Sequence, residues 1–444
     1  MNQWDFFSNP LNIALLVIDN CVRIHRIPRY YIAGCMKLIR LFILLALAPL
    51  FVTCHRHQEH LPTPEQIAAE KLKNERVEGF LKSYEKLFAE QLSKAGCPGA
   101  AVAIVVDSSI VWTKGFGIRA ASTGQPVDEH TLFRLGSLSK GVTSVLVSKL
   151  VHQGKMSWGD HVKEYIHSFT MADTSQAGRV SIAHLLSHST GLPRHTFTDL
   201  IEGGLQSVDI VDRLSKVPLI GKEGKAFAYQ NFAFSLIENI VQQKTATSFV
   251  DLLRNEIFQP AAMLDANTNF EQYVASGNYA HPHRAAKSGG FIEMPLNEKY
   301  YNAVSAGGIN ASIADMSHWL QLLMGQYEEI VTDSMLSDVF TPVVNTGNEN
   351  RFRAWDGLKE SYYGYGWRIM ELSDRKVMYH GGSVNDFRTE IAIDPVSGVG
   401  ICVMFNGQNN LAGHVVPDFL ELWKKAMAEE AKDDAPEAVN AAQN

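Results

Sequence analysis

The chain has 444 residues, with 40 Lys+Arg against 47 Asp+Glu and a formal charge of −7. Charged residues are 20% and apolar ones 46%, which excludes a disordered chain and, for want of a basic excess, a polybasic nucleic-acid protein. Cys21, Cys35, Cys54, Cys97 and Cys402 form no C-x-x-C pair, which argues against a disulfide scaffold or a zinc ribbon, so burial must hold the fold together.

Residues 36–54 read MKLIRLFILLALAPLFVTC. Lys37 and Arg40 make a positive start, and the apolar run Leu41 to Val52 is short of the roughly 20 residues a spanning helix needs. This is a signal-peptide or membrane-anchor pattern, which leaves residues 1–35 as an upstream extension or a translation start placed too early. Two cysteines compete as lipidation sites. Ile32-Ala33-Gly34-Cys35 fits the lipobox letters, but Arg23, Arg26 and Arg29 leave it no apolar run, whereas Cys54 directly follows one. Lipidation at Cys54, simple cleavage and an uncleaved anchor all put the remainder outside the cytoplasm, in a periplasmic or other extracytoplasmic space. Residues 55–75 are assigned as a tether, 76–430 as the folded domain and 431–444 as a disordered acidic tail. His55, His57 and His60 lie in the tether, which offers no preorganised metal site.

Helical periodicity begins at Glu65 and runs to Ala95 through Val77, Phe80, Leu81, Tyr84, Leu87, Phe88 and Leu92, until Gly96 and Pro98-Gly99 stop it. Two apolar runs around Asp107-Ser108-Ser109 predict a β-hairpin. Gly115-Phe116-Gly117 lies within its second strand and is no dinucleotide loop. A mostly helical stretch follows from Ser137 to about Leu323. Strands return as YGYGWRIME, KVMYHGG, FRTEIAID and GVGICVMFN, with a turn at Pro395-Val396-Ser397-Gly398. Val415 to Ala428 reads as an amphipathic helix. Strands at both ends with helices between them suggest one sheet closed by the two termini, with a helical insertion.

The chemistry concentrates in three places. Ser137-Leu138-Ser139-Lys140 opens a helix whose apolar stripe is Val142, Val145, Leu146, Leu150 and Val151, so Lys140 lies one turn from Ser137 on the same face. A serine hydroxyl needs a base, and a desolvated lysine supplies one. Ser83-Tyr84-Glu85-Lys86 repeats the spacing in mid-helix without such a setting. Tyr229-Gln230-Asn231 precedes a second apolar helix. Its Tyr suits proton transfer, and its Asn suits fixing Lys140 and a substrate carbonyl. Tyr300-Tyr301-Asn302 repeats that pattern but lacks the following helix. His380-Gly381-Gly382-Ser383 ends a strand, where two glycines let a substrate backbone approach the sheet edge. Lys287-Ser288-Gly289 has a similar pattern in a polar loop.

These three elements, in this order, resemble the serine β-lactamase and penicillin-binding protein superfamily, nearest to class C β-lactamase-related serine hydrolases of the DD-peptidase and esterase type. PGAAVAIV, HLLSHSTGLP at 184–193 and SAGGINASIADM at 305–316 extend the resemblance across about 76–430. It implies an α/β (α+β sandwich) fold, with an antiparallel sheet flanked by helices on both faces plus a helical subdomain. It implies Ser137 as the acylated nucleophile, Lys140 and Tyr229 as proton carriers and Asn231 as an orienting group. His380, Gly382 and Ser383 would contact substrate, with backbone N–H groups of Ser137 and Ser383 as the oxyanion hole.

The third motif departs from Lys-Thr-Gly. Histidine is mostly neutral at pH 7 and Gly381 has no hydroxyl, which weakens recognition of a substrate carboxylate; Arg368 or Arg388 could replace the charge. The expectation is a cofactor-free, metal-free hydrolase of a small-molecule or peptide substrate, with ester or peptide hydrolysis ahead of β-lactam hydrolysis. It includes no nucleic-acid partner, with cell wall and a membrane anchor as candidate attachments. A non-turnover penicillin-binding sensor or cell-wall scaffold is the alternative. His184 and His188, four apart, are read as structural rather than as metal ligands, and His281-Pro282-His283 as a surface loop.

Overall fold

The computed structural model describes residues 63–287, 289–347 and 352–428. The expectations for residues 1–54, for the tail at 431–444 and for Ser288 lie outside them. Residues 64–72 are the exposed leading turns of helix α1 (Pro64–Ala95). The latter part of the stretch assigned as tether is therefore helical. From Val77 onward α1 buries Val77, Tyr84, Phe88 and Leu92, the residues its periodicity marked.

Strands β1 (Gly99–Val106) and β2 (Ser109–Gly117) form the expected hairpin. Its turn residues Asp107 and Ser108 both have positive φ, 46° and 62°, the conformation that matches the twist of the flanking strands. Helix α2 (Ser139–His152) follows, then the short α3 (Asn231–Ser235) and α4 (Ile313–Leu323). The remaining strands of the main sheet are β3 (Val344–Asn345), β4 (Glu360–Tyr363), β5 (Arg368–Glu371), β6 (Lys376–Val384), β7 (Phe387–Asp394) and β8 (Val399–Phe405), before α5 (Val415–Ala428). They join in one antiparallel sheet of order β2-β1-β8-β7-β6-β5-β4-β3. The first and last long strands thus meet, as the strand distribution suggested. YGYGWRIME is not one strand. Gly364 to Trp367 turn between β4 and β5, closed by Gly364 N–H to Trp367 O at 2.8 Å. Gly366 (φ +73°) presses there on α2, where a Cβ would stand 2.4 Å from Lys140 O.

Alternate residues of β1 feed two cores. Ala101, Ala103 and Val105 face α2, α4 and the helical insertion, while Ala100, Val102, Ile104 and Val106 face α1 and α5. The second layer is locked by rings: Phe80 lies 5.2 Å from Trp423 and Tyr84 5.0 Å from Phe419, both edge-on, contacts worth about 0.5–1.5 kcal/mol each beyond their area. The sheet with helices on both faces and a helical subdomain is the architecture expected. Cys97 and Cys402 are buried free thiols. Among the described residues no helix is long and apolar enough to cross a membrane.

Candidate active site

Ser137 is the middle residue of a single 3-10 turn, Gly136–Leu138, that runs straight into α2. Two contacts pin this turn against the sheet. Thr389 Oγ1 on β7 donates to Leu135 O at 2.8 Å. Gly136, at φ +53°, packs so closely on β6 that a Cβ would stand 2.9 Å from Ser383 N. Glycine is required both by the backbone and by the approach. The backbones flanking the two expected oxyanion donors therefore lie side by side.

Lys140 is fully buried on the first turn of α2. Its Nζ lies 3.2 Å from Ser137 Oγ, 2.8 Å from Asn231 Oδ1 and 2.5 Å from Ala306 O. The Tyr229 and Phe234 ring centres are 4.8 and 5.4 Å away. Burial drives its amine well below the usual lysine range. No carboxylate offsets that desolvation in these contacts, so burial favours the neutral form of the amine. Tyr229 Oη donates to Ser137 Oγ at 2.7 Å. Ser137 Oγ thus sits between a phenol and an amine that burial pushes toward its base form, with one group to donate a proton and another to accept one.

Asn231, at the start of α3, uses both ends of its amide. Oδ1 accepts from Lys140, and Nδ2 donates to Tyr300 Oη at 2.8 Å. The triplet at 300–302 therefore belongs to the site, although it does not supply the phenol next to Ser137. His188 (φ +57°) backs Tyr229, their ring centres 4.2 Å apart. Its Nδ1 accepts from Gln230 N–H at 3.3 Å, and burial pushes its protonation far below the usual histidine range. His184 Nδ1 accepts from Ser181 N–H at 3.0 Å in a helix cap. Both histidines thus have local structural partners, and no group of three or more His, Cys, Asp or Glu among the described residues is placed to hold a metal.

The third motif lies at the end of β6. β5 pairs with β6 only through Lys376–Tyr379, so the edge from His380 onward borders the cavity. His380 is 2% exposed and engages both ring nitrogens within the protein: Nε2 lies 2.9 Å from Tyr363 Oη and Nδ1 2.9 Å from Gly381 O. A carbonyl only accepts, so Nδ1 carries a proton, and Nε2 pairs with the Tyr363 hydroxyl. His380 therefore fixes the strand edge through both ring nitrogens. The two glycines also make room for the protein's own groups. A Cβ on Gly381 would lie 2.8 Å from Glu390 Oε2 and 3.0 Å from Tyr379 Oη, and one on Gly382 would lie 2.2 Å from Leu135 O. Ser383 is exposed, and its Oγ accepts from Gln408 Nε2 at 2.7 Å.

These groups border a cavity of about 250 Å³. Arg368 and Arg388 both line it, as their placement near the third motif suggested. Arg388 Nε donates to the buried Glu390 at 2.6 Å, and Tyr379 Oη donates to its other oxygen at 2.6 Å. The Arg368 guanidinium carbon lies 5.1 Å from the Phe352 ring centre and 5.5 Å from that of Tyr363. Arg194, His195, Thr198, Glu202 and Tyr300 complete the wall. The residue reading missed Arg194 and His195, although they directly follow the HLLSHSTGLP stretch.

A family model described as beta-lactamase matches residues 84–421. The chain belongs to the beta-lactamase family. Within it, the chain is 25% identical over 342 residues to the unguisins hydrolase of Aspergillus campestris, covering 74% of this chain and 62% of that protein. It is 23% identical over 340 residues to Protein flp of Staphylococcus aureus, covering 76% and 64% respectively. This beta-lactamase-family chain thus spans less than two thirds of the length of these curated relatives. The octameric penicillin-binding protein homologue from Pyrococcus abyssi shares its fold, with a TM-score of 0.67, 22% identity and coverage of 79% of this chain and 77% of that one.

Proposed function

We propose that the protein is a serine hydrolase that forms an acyl-enzyme on Ser137 from an ester, a D-amino-acid peptide or a β-lactam. The observation that carries this reading is Ser137 Oγ at 2.7 Å from Tyr229 Oη and 3.2 Å from Lys140, whose amine burial holds well below the usual lysine range. In the first step the Ser137 proton passes to Lys140 as Oγ bonds to the substrate carbonyl carbon. The carbonyl oxygen gains the negative charge, facing the N–H groups of Ser137 and Ser383. Collapse breaks the bond to the leaving group, which takes a proton through Tyr229. Tyr229 regains one from Lys140. Water then repeats the sequence on the ester and frees Ser137.

Esters and peptides rank ahead of β-lactams because His380 turns both ring nitrogens inward. The name of one relative, an unguisins hydrolase, supports hydrolysis in general. Export with a new N-terminus near Cys54 belongs to the same reading, and mass spectrometry of the mature protein tests it. The deciding experiment is labelling with a fluorophosphonate and a fluorescent penicillin, read by intact mass, followed by panels of esters, D-amino-acid peptides and penicillins. Label on Ser137 with turnover of any panel member supports the hydrolase. Stoichiometric label without turnover selects the sensor alternative, and no label on Ser137 overturns the hydrolase and the sensor and leaves the scaffold.

A further inference from the structure

The chain holds two Tyr-x-Asn triplets, and the mechanism above uses one. Tyr300, in the other, is buried at φ +70°, a conformation that a bulky side chain keeps only where its surroundings over-determine it. They do so here. The Arg134 guanidinium donates to Asn297 O at 2.9 Å and Lys299 O at 2.5 Å, and lies 4.2 Å from the Tyr301 ring centre. Asn302 Nδ2 donates to Ile201 O and Leu205 O, beside Glu202. Gly308 leaves the room, since a Cβ there would stand 2.5 Å from Tyr300 O. All this delivers Tyr300 Oη to a point 2.8 Å from Asn231 Nδ2 and 3.1 Å from Glu202 Oε1. Lys299 Nζ donates to the other Glu202 oxygen at 2.9 Å.

The directions of these bonds are forced. An ionised carboxylate only accepts, so Tyr300 donates its single proton to Glu202. Burial, and then the Glu202 charge, hold the Tyr300 phenol in its protonated form. Tyr300 Oη can then only accept from Asn231, which turns the Asn231 NH2 toward Tyr300 and Oδ1 toward Lys140. The third neighbour of Lys140, Ala306 O, also only accepts. In the base form that the mechanism uses, the Lys140 amine has two N–H bonds and one lone pair. With both N–H bonds taken, the lone pair is left for the Ser137 hydroxyl. A flipped Asn231 would offer an N–H and consume that lone pair instead.

Resting on the acyl-enzyme reading, we propose that Tyr300, held by Glu202, is a positioning residue that sets the Asn231 amide and so aims the Lys140 lone pair at Ser137. The titratable groups around Lys140 include Tyr229 and His188 and, beyond Asn231, Tyr300 and the Glu202–Lys299 pair.

The test is the acylation rate and kcat/KM with a p-nitrophenyl ester across about pH 5 to 9, together with the mass of the acylated protein. Tyr300→Phe keeps the ring and removes the hydroxyl. It is expected to lower the acylation rate about 10- to 100-fold with KM little changed. The acid limb of the profile should move to lower pH, because the Lys140 ammonium loses an acceptor. Glu202→Ala should move both readings the same way, and Glu202→Gln, which still accepts from Tyr300, should recover most of the loss. An unchanged rate and limb in Tyr300→Phe would overturn the proposal. So would a loss seen only as higher KM and lower Tm with the limb unmoved. If Tyr300→Phe fails to fold, Glu202→Ala at the part-exposed rim decides alone. If the unmodified protein is not acylated at Ser137, the acyl-enzyme reading falls and the proposal with it. If it is acylated there and the variants behave like it, the proposal alone falls.

Discussion

The two flanks of Ser137 are built on opposite electrostatic terms. Toward α2 the site is dry: Lys140 is fully buried, and its three polar neighbours are a serine hydroxyl, an amide oxygen and a backbone carbonyl. Toward β6 the site keeps its charges, with Arg368 and Arg388 at the cavity wall and Glu390 beneath Gly381. Burial without a counter-ion pushes a lysine toward its neutral form, whereas an ion pair favours the charged forms of its partners. One flank is therefore suited to moving protons and the other to sorting substrates, and substitutions should affect them separately.

The sharpest break is Ser137→Ala, which should abolish covalent labelling while the protein stays folded. Ser83→Ala should change nothing, since Ser83 Oγ only donates to Gly79 O on an exposed helix face. Labelling that survives in Ser137→Ala would remove the comparison altogether. Next in size is Lys140→Arg, because a guanidinium stays charged and offers no lone pair. A loss of about 10²- to 10⁴-fold in ester kcat/KM is expected, and a loss below tenfold would mean that Tyr229 alone takes the proton.

The same flank has a pH signature in stability. Glu238 accepts from Ser305 N–H at 2.8 Å and Ser305 Oγ at 2.6 Å, bracing the turn that presents Ala306 O to Lys140. Burial raises its carboxyl to about 7. A raised acid contributes stability that is complete below its unfolded value near 4.5 and is lost as pH rises through about 7, a change of about 3 kcal/mol. Urea denaturation of Glu238→Gln should show a flatter pH dependence over that window; an identical slope would place the titration elsewhere.

The smallest expected effect tests the β6 flank. His380→Lys with Gly381→Thr should not increase penicillin acylation relative to ester kcat/KM. The threonine meets Glu390 and Tyr379, and the lysine gives up the Tyr363 contact. Overpacking of this kind costs about 1–3 kcal/mol, visible as a lower Tm. A tenfold gain in the acylation ratio would show that the flank tolerates the change and that charge at 380 is what it lacks.

Local signals carried much of this. Helix α5 has the bounds its apolar spacing predicts, and the Asp107-Ser108 turn and the three-motif order were readable because each depends on neighbours in the chain. The break at Gly364–Trp367 was hidden because it answers to α2, far away in sequence. Tyr300 was set aside for lack of a following helix, yet its place is fixed by Arg134, Asn302 and Gly308. No window of sequence contains that meeting. The close packing of Glu390 and Leu135 on the third-motif glycines was hidden because those residues come from other elements.

The pairing of β1 with β8 has a consequence for how the chain must be built. Every residue of β1 is buried, but its partner begins only at Val399. Until that strand emerges from the ribosome, β1 has only β2 beside it, and a lone two-stranded ribbon is marginal in water. Its other edge is an apolar template open to any extended chain nearby. Folding therefore cannot proceed piece by piece from the first hairpin: the central seam closes last, and a chain truncated before β8 would present that seam to its neighbours.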